Sequence, residues 1–107
     1  MTKAKIDSGI CGHITHVSAS STDDYQVALD IVSDCPDIQK LAQDPDLAEV
    51  NALEEISFRQ GEPSILTKGR QHCAHGSCPV PAGIIKVVEV EAGLALPKDV
   101  TIRFEKE

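Results

Sequence analysis

The clearest pattern in the chain is the alternation of apolar residues with polar or smaller ones from Tyr25 to Ser33. A period of two predicts a β-strand with one buried face and one exposed face. A second strand is predicted from Ile10 to Ala19, and the turn-forming residues 20–24 separate the two. Strands joined by so short a turn pair as an antiparallel hairpin, so a small antiparallel sheet is expected.

Helix signals follow the hairpin. Pro36 and Asp37 suit the first turn of a helix capped by Ser33 or Asp34. The segment after Pro45 is predicted to form a second short helix. The Gly- and His-rich residues 60–76 are predicted to form a loop.

Residues 82–94 carry two competing signals. Their β-branched residues favour a strand, whereas Pro81 suits the first position of a helix and Gly93 suits its end. The length of this segment decides for a helix. The alternation from Asp99 to Glu105 predicts a last strand.

These elements predict an α+β fold: a two-layer arrangement with a small, mostly antiparallel sheet and helices on one face. The predicted order is β-β-α-α-loop-α-β. The 107 residues are expected to form a single domain, 1–107, in which the polar residues 1–8 are flexible.

Composition limits both the core and the partners. Aromatic residues make up only 3% of the chain, so the core must be thin and aliphatic, and a bound metal would add stability. The net charge of −7 and the lack of a basic stripe argue against nucleic-acid binding. No apolar run approaches the ~20 residues that span a bilayer. The polar N-terminus does not resemble a signal peptide, so a cytoplasmic location and no membrane association are expected.

Four cysteines are the main candidates for function. In a reducing cytoplasm they are expected to remain thiols rather than disulfides. None lies within an apolar stripe, where structural cysteines are usually buried. Cys35 and Cys78 each precede a proline at a predicted helix start, and a helix N-terminus stabilises the thiolate form.

The predicted topology allows Cys11, Cys35 and Cys78 to converge at one end of the sheet. Cys73 or His75 is then the fourth ligand, which gives a donor set suited to tetrahedral zinc or to an iron–sulfur cluster. Two alternatives stay open. The domain is a non-enzymatic interaction module with buried thiols, or it is a thiol redox protein with one cysteine of depressed pKa.

No set of catalytic residues stands out. The chain has no phosphate-binding glycine loop and no nucleophile elbow. Four glutamates are expected on solvated helix faces: Glu54, Glu55, Glu89 and Glu91. The chain is therefore expected to be a binding protein rather than an enzyme, with substrate and oligomeric state left open.

Four phrases resemble an uncharacterised family of small proteins from anaerobic bacteria and archaea. They are Ile10-Cys11-Gly12, Ser33-Asp34-Cys35-Pro36, His75-Gly76-Ser77-Cys78-Pro79-Val80-Pro81, and residues 89–100. This resemblance implies no particular activity.

The order of Cys11, Cys35 and Cys78 is also similar to that in the U-type scaffolds of iron–sulfur cluster assembly, which build a [2Fe–2S] cluster on three such cysteines. That resemblance implies a cluster-binding site and a partner protein that donates or accepts a cluster or metal. The chain departs from the scaffolds at two positions, since His13 replaces an aspartate and Ser77 replaces a histidine.

Overall fold

The computed structural model describes residues 1–107 and has the expected α+β fold. Four antiparallel strands form one sheet in the order of the chain. The strands are β1 (Thr2–Asp7), β2 (Ile14–Asp23), β3 (Gln26–Ser33) and β4 (Glu49–Asn51). The helices are α1 (Pro36–Ala42), α2 (Ala52–Glu55), α3 (Ser64–His72) and α4 (Val80–Glu91), and a 3₁₀ turn spans Pro45–Leu47. None of the helices combines the length and apolar character needed to cross a membrane.

The hairpin predicted from the alternating pattern is formed by β2 and β3. Val17 pairs with Ile31 and Ala19 pairs with Leu29 in an antiparallel register. Thr15, Val17 and Ala19 are buried under the helices, whereas His16, between the first two, is exposed. The period of two therefore separates the core face of the sheet from its solvent face.

Helices α1 and α4 begin near the prolines that predicted them. Pro36 occupies the first turn of α1, and Pro81 lies in the first turn of α4. Gly93 follows α4 with φ of 77°, a left-handed conformation that suits glycine after a helix end. Buried aliphatic side chains of α4 pack against β1 and β2, so the ambiguous apolar segment is a helix.

The expectation of a flexible N-terminus was wrong. Residues 2–7 form the edge strand β1, in which Thr2 pairs with Ala19 and Asp7 pairs with Ile14. Ile6 lies against α4 at Gly83, where an added β-carbon would come within 2.6 Å of the Ile6 Cδ1 atom. The strand is held by this tertiary contact, which its short and lysine-rich sequence does not reveal.

The expected loop over residues 60–76 was also wrong, because α3 lies within it. Gly69 lies within the predicted loop, but it is buried where α3 crosses α4. A β-carbon at this position would lie 2.6 Å from Cγ of Pro81. The glycine therefore permits close helix packing rather than interrupting the helix.

The strand predicted from Asp99 to Glu105 does not join the sheet. This segment has no regular secondary structure and is exposed to solvent. The second helix predicted after Pro45 is replaced by the 3₁₀ turn, β4 and the four-residue α2. Both predictions were wrong, because an alternating or helical apolar pattern does not itself show whether a partner element fixes the conformation.

Glu91 joins the end of α4 to two strands. Its carboxylate accepts hydrogen bonds from Thr2 Oγ1 at 2.7 Å, from Ser21 N at 2.8 Å and from Ser21 Oγ at 3.0 Å. The Thr2 hydroxyl is the main cause that lowers the pKa of Glu91 from 4.5 to about 2, followed by the Ser21 backbone. The expectation that Glu91 is a solvated surface residue was therefore wrong.

Replacing Glu91 tests this anchor. Because the pKa of Glu91 is lowered on folding, its contribution is complete above pH 4.5 and is lost as the pH falls towards 2. We expect Glu91→Gln to reduce the free energy of unfolding at neutral pH by about 1–2 kcal/mol and to weaken the acid dependence of stability. Urea denaturation as a function of pH measures both. Glu89→Gln, on the same helix and without a side-chain hydrogen bond, is the control; an equal loss in the two variants would contradict the anchoring role.

The contact between α3 and α4 gives a second prediction. We expect Gly69→Ala to lower the free energy of unfolding by about 1–3 kcal/mol, because the new methyl group overlaps the rigid ring of Pro81. Gly76→Ala is the matched control, since no atom lies within 4 Å of a β-carbon there. Chemical denaturation of both variants checks this, and a neutral Gly69→Ala would mean that the helices separate without cost.

Candidate functional site

Three of the four cysteines come from different helix ends that pack on one core. Cys35 is the N-cap of α1, Cys73 is the C-cap of α3, and Cys78 lies two residues before α4. All three are half-buried and pack against the main hydrophobic core. The crossing of α3 and α4 brings the last two together, because each lies within one helical turn of the Gly69–Pro81 contact.

The pKa of Cys73 shows that these groups influence one another. Burial is the main cause that raises the pKa of the Cys73 thiol from 9.0 to about 11. The negative charges of Cys78 and Asp37 come next, followed by the close approach of the Cys78 side chain and then the charge of Cys35. Cys73 is therefore protonated at neutral pH and lies among groups that each become negative on ionisation.

Asp37 is part of this site, although the sequence indicated only a place in the first turn of a helix for it. Its Oδ2 atom accepts a hydrogen bond of 3.0 Å from the backbone N–H of Ala74. This bond ties the first turn of α1 to the segment that follows Cys73. A distant carboxylate cannot be assigned to a cysteine site from spacing, since 37 residues separate the two bonded partners.

Cys11 lies elsewhere. It is exposed in the turn between β1 and β2, where Gly12 N donates to Gly9 O at 2.9 Å. It does not pack against the core, and it is not among the groups that shift the pKa of Cys73. Cys11 therefore does not lie with Cys35 and Cys78 as expected. Cys73 lies with these two cysteines instead.

The histidines near the cysteines have separate environments. His72 Nε2 lies 3.0 Å from Asp44 Oδ2, and this contact is the main cause that lowers the pKa of Asp44 to about 2. His75 is exposed, and its backbone carbonyl accepts a 3.2 Å hydrogen bond from Cys78 N. Of these two side chains, the one of His75 has no hydrogen-bond partner in the protein.

No three histidine, cysteine, aspartate or glutamate side chains are arranged to hold a metal ion as the structure stands. We use "thiol pocket" for the half-buried region formed by Cys35, Asp37, Cys73 and Cys78. Its half-buried acidic groups are close enough to interact, but they are not in the geometry of a single-ion site.

A family model described as a family of unknown function, DUF6951, matches residues 2–104. The chain belongs to this family. The match covers every element of the fold and all four cysteines. No curated protein and no solved structure matches the chain. The family therefore assigns no activity to the thiol pocket.

The different environments of the cysteines predict different reactivities. An increase in pKa from 9.0 to about 11 lowers the thiolate fraction of Cys73 by about 100-fold near neutral pH. We expect Cys11 to alkylate first in the metal-free native protein, because it is exposed, and Cys73 to react slowly. Time-resolved alkylation followed by peptide mass mapping measures this, and Cys11→Ser should remove the fast phase. Rapid labelling of Cys73 would contradict the structure of the pocket.

Proposed function

We propose that the thiol pocket binds a soft metal centre, either zinc or an iron–sulfur cluster, through Cys35, Cys73 and Cys78. The observation that carries this proposal is the set of causes that raises the pKa of Cys73: burial together with the charges of two other thiols and a carboxylate. Acidic groups gathered in a half-buried position repel one another when ionised. A bound cation reverses this effect, since it stabilises the thiolate form of every ligand.

The ligand types define the class of metal. Thiolate sulfur favours zinc, copper(I) and iron–sulfur clusters over magnesium or calcium. Three thiolates need one further ligand for a closed tetrahedral zinc site. Asp37 and His75 are the candidates, because Asp37 already acts on Cys73 and His75 lies in the short segment between Cys73 and Cys78.

Binding requires a local rearrangement, because no three donors stand at metal-ligand positions. Residues 74–77 are exposed and connect two of the thiols, so this segment is the one that can close over a metal. A cluster spans more space than a single ion and holds its cysteines farther apart. It therefore needs less closure than zinc does.

In this proposal the protein is a binding or carrier protein rather than an enzyme. Its partner would be a protein that supplies or receives the metal or cluster. Cys11 is exposed and lies outside the pocket, so it is not part of the ligand set that we propose.

Metal content provides the test. Protein produced with supplied iron and zinc and purified without oxygen is expected to contain stoichiometric metal, with broad visible absorption if the centre is a cluster and none if it is zinc. Cys35→Ser, Cys73→Ser and Cys78→Ser should each lower metal affinity by at least about 10–100-fold, the loss typical of disrupting even an outer-shell partner. Cys11→Ser is the matched control and should retain the metal.

The alternatives give different results. If neither zinc nor reconstituted iron and sulfide binds the anaerobic wild-type protein, the proposal is wrong. Mass spectrometry then separates the other two readings. A Cys73–Cys78 disulfide that forms reversibly with a mild oxidant would support a thiol redox protein, and three persistently reduced thiols would support an interaction module with buried cysteines. If Cys11→Ser alone lost the metal, the result would support the scaffold-like set of Cys11, Cys35 and Cys78 as ligands instead.

A further inference from the structure

The segment after α4 has the pattern of a β-strand but no partner. Its apolar residues Val100, Ile102 and Phe104 are 66%, 78% and 93% exposed. They alternate with polar residues, which is the pattern of a strand with one buried face. No backbone hydrogen bond joins residues 99–107 to the rest of the chain. We call residues 99–107 the tail.

The sheet has a matching open edge at β1. This strand pairs with β2 on one side only, so its other side presents unpaired backbone groups. Ala4 and Ile6 point to the face covered by α4 and are half-buried, whereas Lys3, Lys5 and Asp7 point to the open face. A strand added to this edge would therefore have one face towards the helices and the other, beside the charged residues of β1, towards solvent.

The charges select one register between the tail and this edge. With the two strands antiparallel and Phe104 opposite Ile6, three pairs of opposite charge face each other. These pairs are Arg103 with Asp7, Glu105 with Lys5, and Glu107 with Lys3. No other register, parallel or antiparallel, gives three such pairs. Opposite charges directly across a strand pair stabilise it, and like charges destabilise it.

The direction of the chain indicates which copy supplies the tail. Gly83 near the start of α4 lies against Ile6, and Glu91 at its end bonds to Thr2, so α4 runs antiparallel to β1. The tail therefore leaves α4 at the Thr2 end of β1. A strand that turned back directly along its own β1 would run parallel to it, which is the direction that loses the three charge pairs.

We propose that the tail pairs with the β1 edge of a second copy of this chain. Each copy donates its tail and receives the other, so the exchange is reciprocal and closes as a two-fold dimer. The pairing extends each four-stranded sheet to five strands. In this register Phe104 lies opposite Ile6 and Lys106 opposite Ala4 on the apolar face, while Ile102 and Val100 extend past the end of β1 towards Ser8 and Ile10. The pairing covers the open edge of β1 from Lys3 to Asp7.

The mass and the register can be tested together on the full-length chain. Sedimentation velocity combined with light scattering is expected to give the mass of a dimer at micromolar concentration. Lys5→Glu and Glu105→Lys should each raise the dimer dissociation constant about 10-fold, because each places like charges at two symmetry-related pairs. The double variant Lys5→Glu/Glu105→Lys should restore the wild-type value. Lys40→Glu, an exposed charge on α1, is the control, and circular dichroism confirms folding of every variant.

Each contrary outcome overturns the proposal. A monomeric mass over the whole concentration range excludes the exchange, and hydrogen exchange of the monomer then shows whether the tail is protected on its own β1 edge. A dimer that the single charge reversals leave unchanged uses another surface. A dimer that both single variants weaken and the double variant does not restore contradicts the pairing of Lys5 with Glu105, and with it the proposed register.

Discussion

Gly69 lies so close to Pro81 that α3 and α4 pack with no room for a β-carbon between them. Cys73 follows Gly69 by one helical turn, and its N–H donates to the Gly69 carbonyl at 2.8 Å. Cys78 precedes Pro81 by three residues. The same contact that joins the two helices therefore sets the distance between two thiols, and α1 packs against α3 and adds the third. The position of the thiol pocket is a consequence of helix packing rather than of a local cysteine motif.

Two glutamates anchor separate elements around the aliphatic core. Glu55 is 3% exposed, and it accepts hydrogen bonds from Ser64 Oγ and from Ile65 N, the latter at 2.8 Å. It supplies from another helix the cap that Pro63 cannot give to the start of α3. Glu91 serves a similar role between α4 and the strands. Both residues were expected on solvated faces, because nothing in the spacing of a glutamate shows which backbone N–H groups it will meet.

The parts of the fold predicted from the sequence are those with complete local signals. The β2–β3 hairpin has its own turn, and α4 has prolines at its start and a glycine after its end. Helix α3 and strand β1 depend on contacts with distant parts of the chain. Gly69 in α3 therefore wrongly indicated a loop, and the lysines of β1 wrongly indicated a flexible segment. The cysteine site divides in the same way. Helix starts near Cys35 and Cys78, and Cys73 as a candidate near them, were predicted from local spacing. The separate position of Cys11 and the inclusion of Asp37 depend on how distant elements pack.

Helix α4 connects the two proposed interactions. Its first turn follows Cys78, its next turn supports β1 through Gly83 and Ile6, and its last residue leads to the tail. Coupling between metal binding and dimer formation would require α4 to have two arrangements that each ligand favours differently. The close packing at Gly69 and Gly83, where neither glycine has room for a β-carbon, favours a single arrangement of this helix. Closure of residues 74–77 over a metal can occur before α4 begins, so the metal and the dimer should form independently.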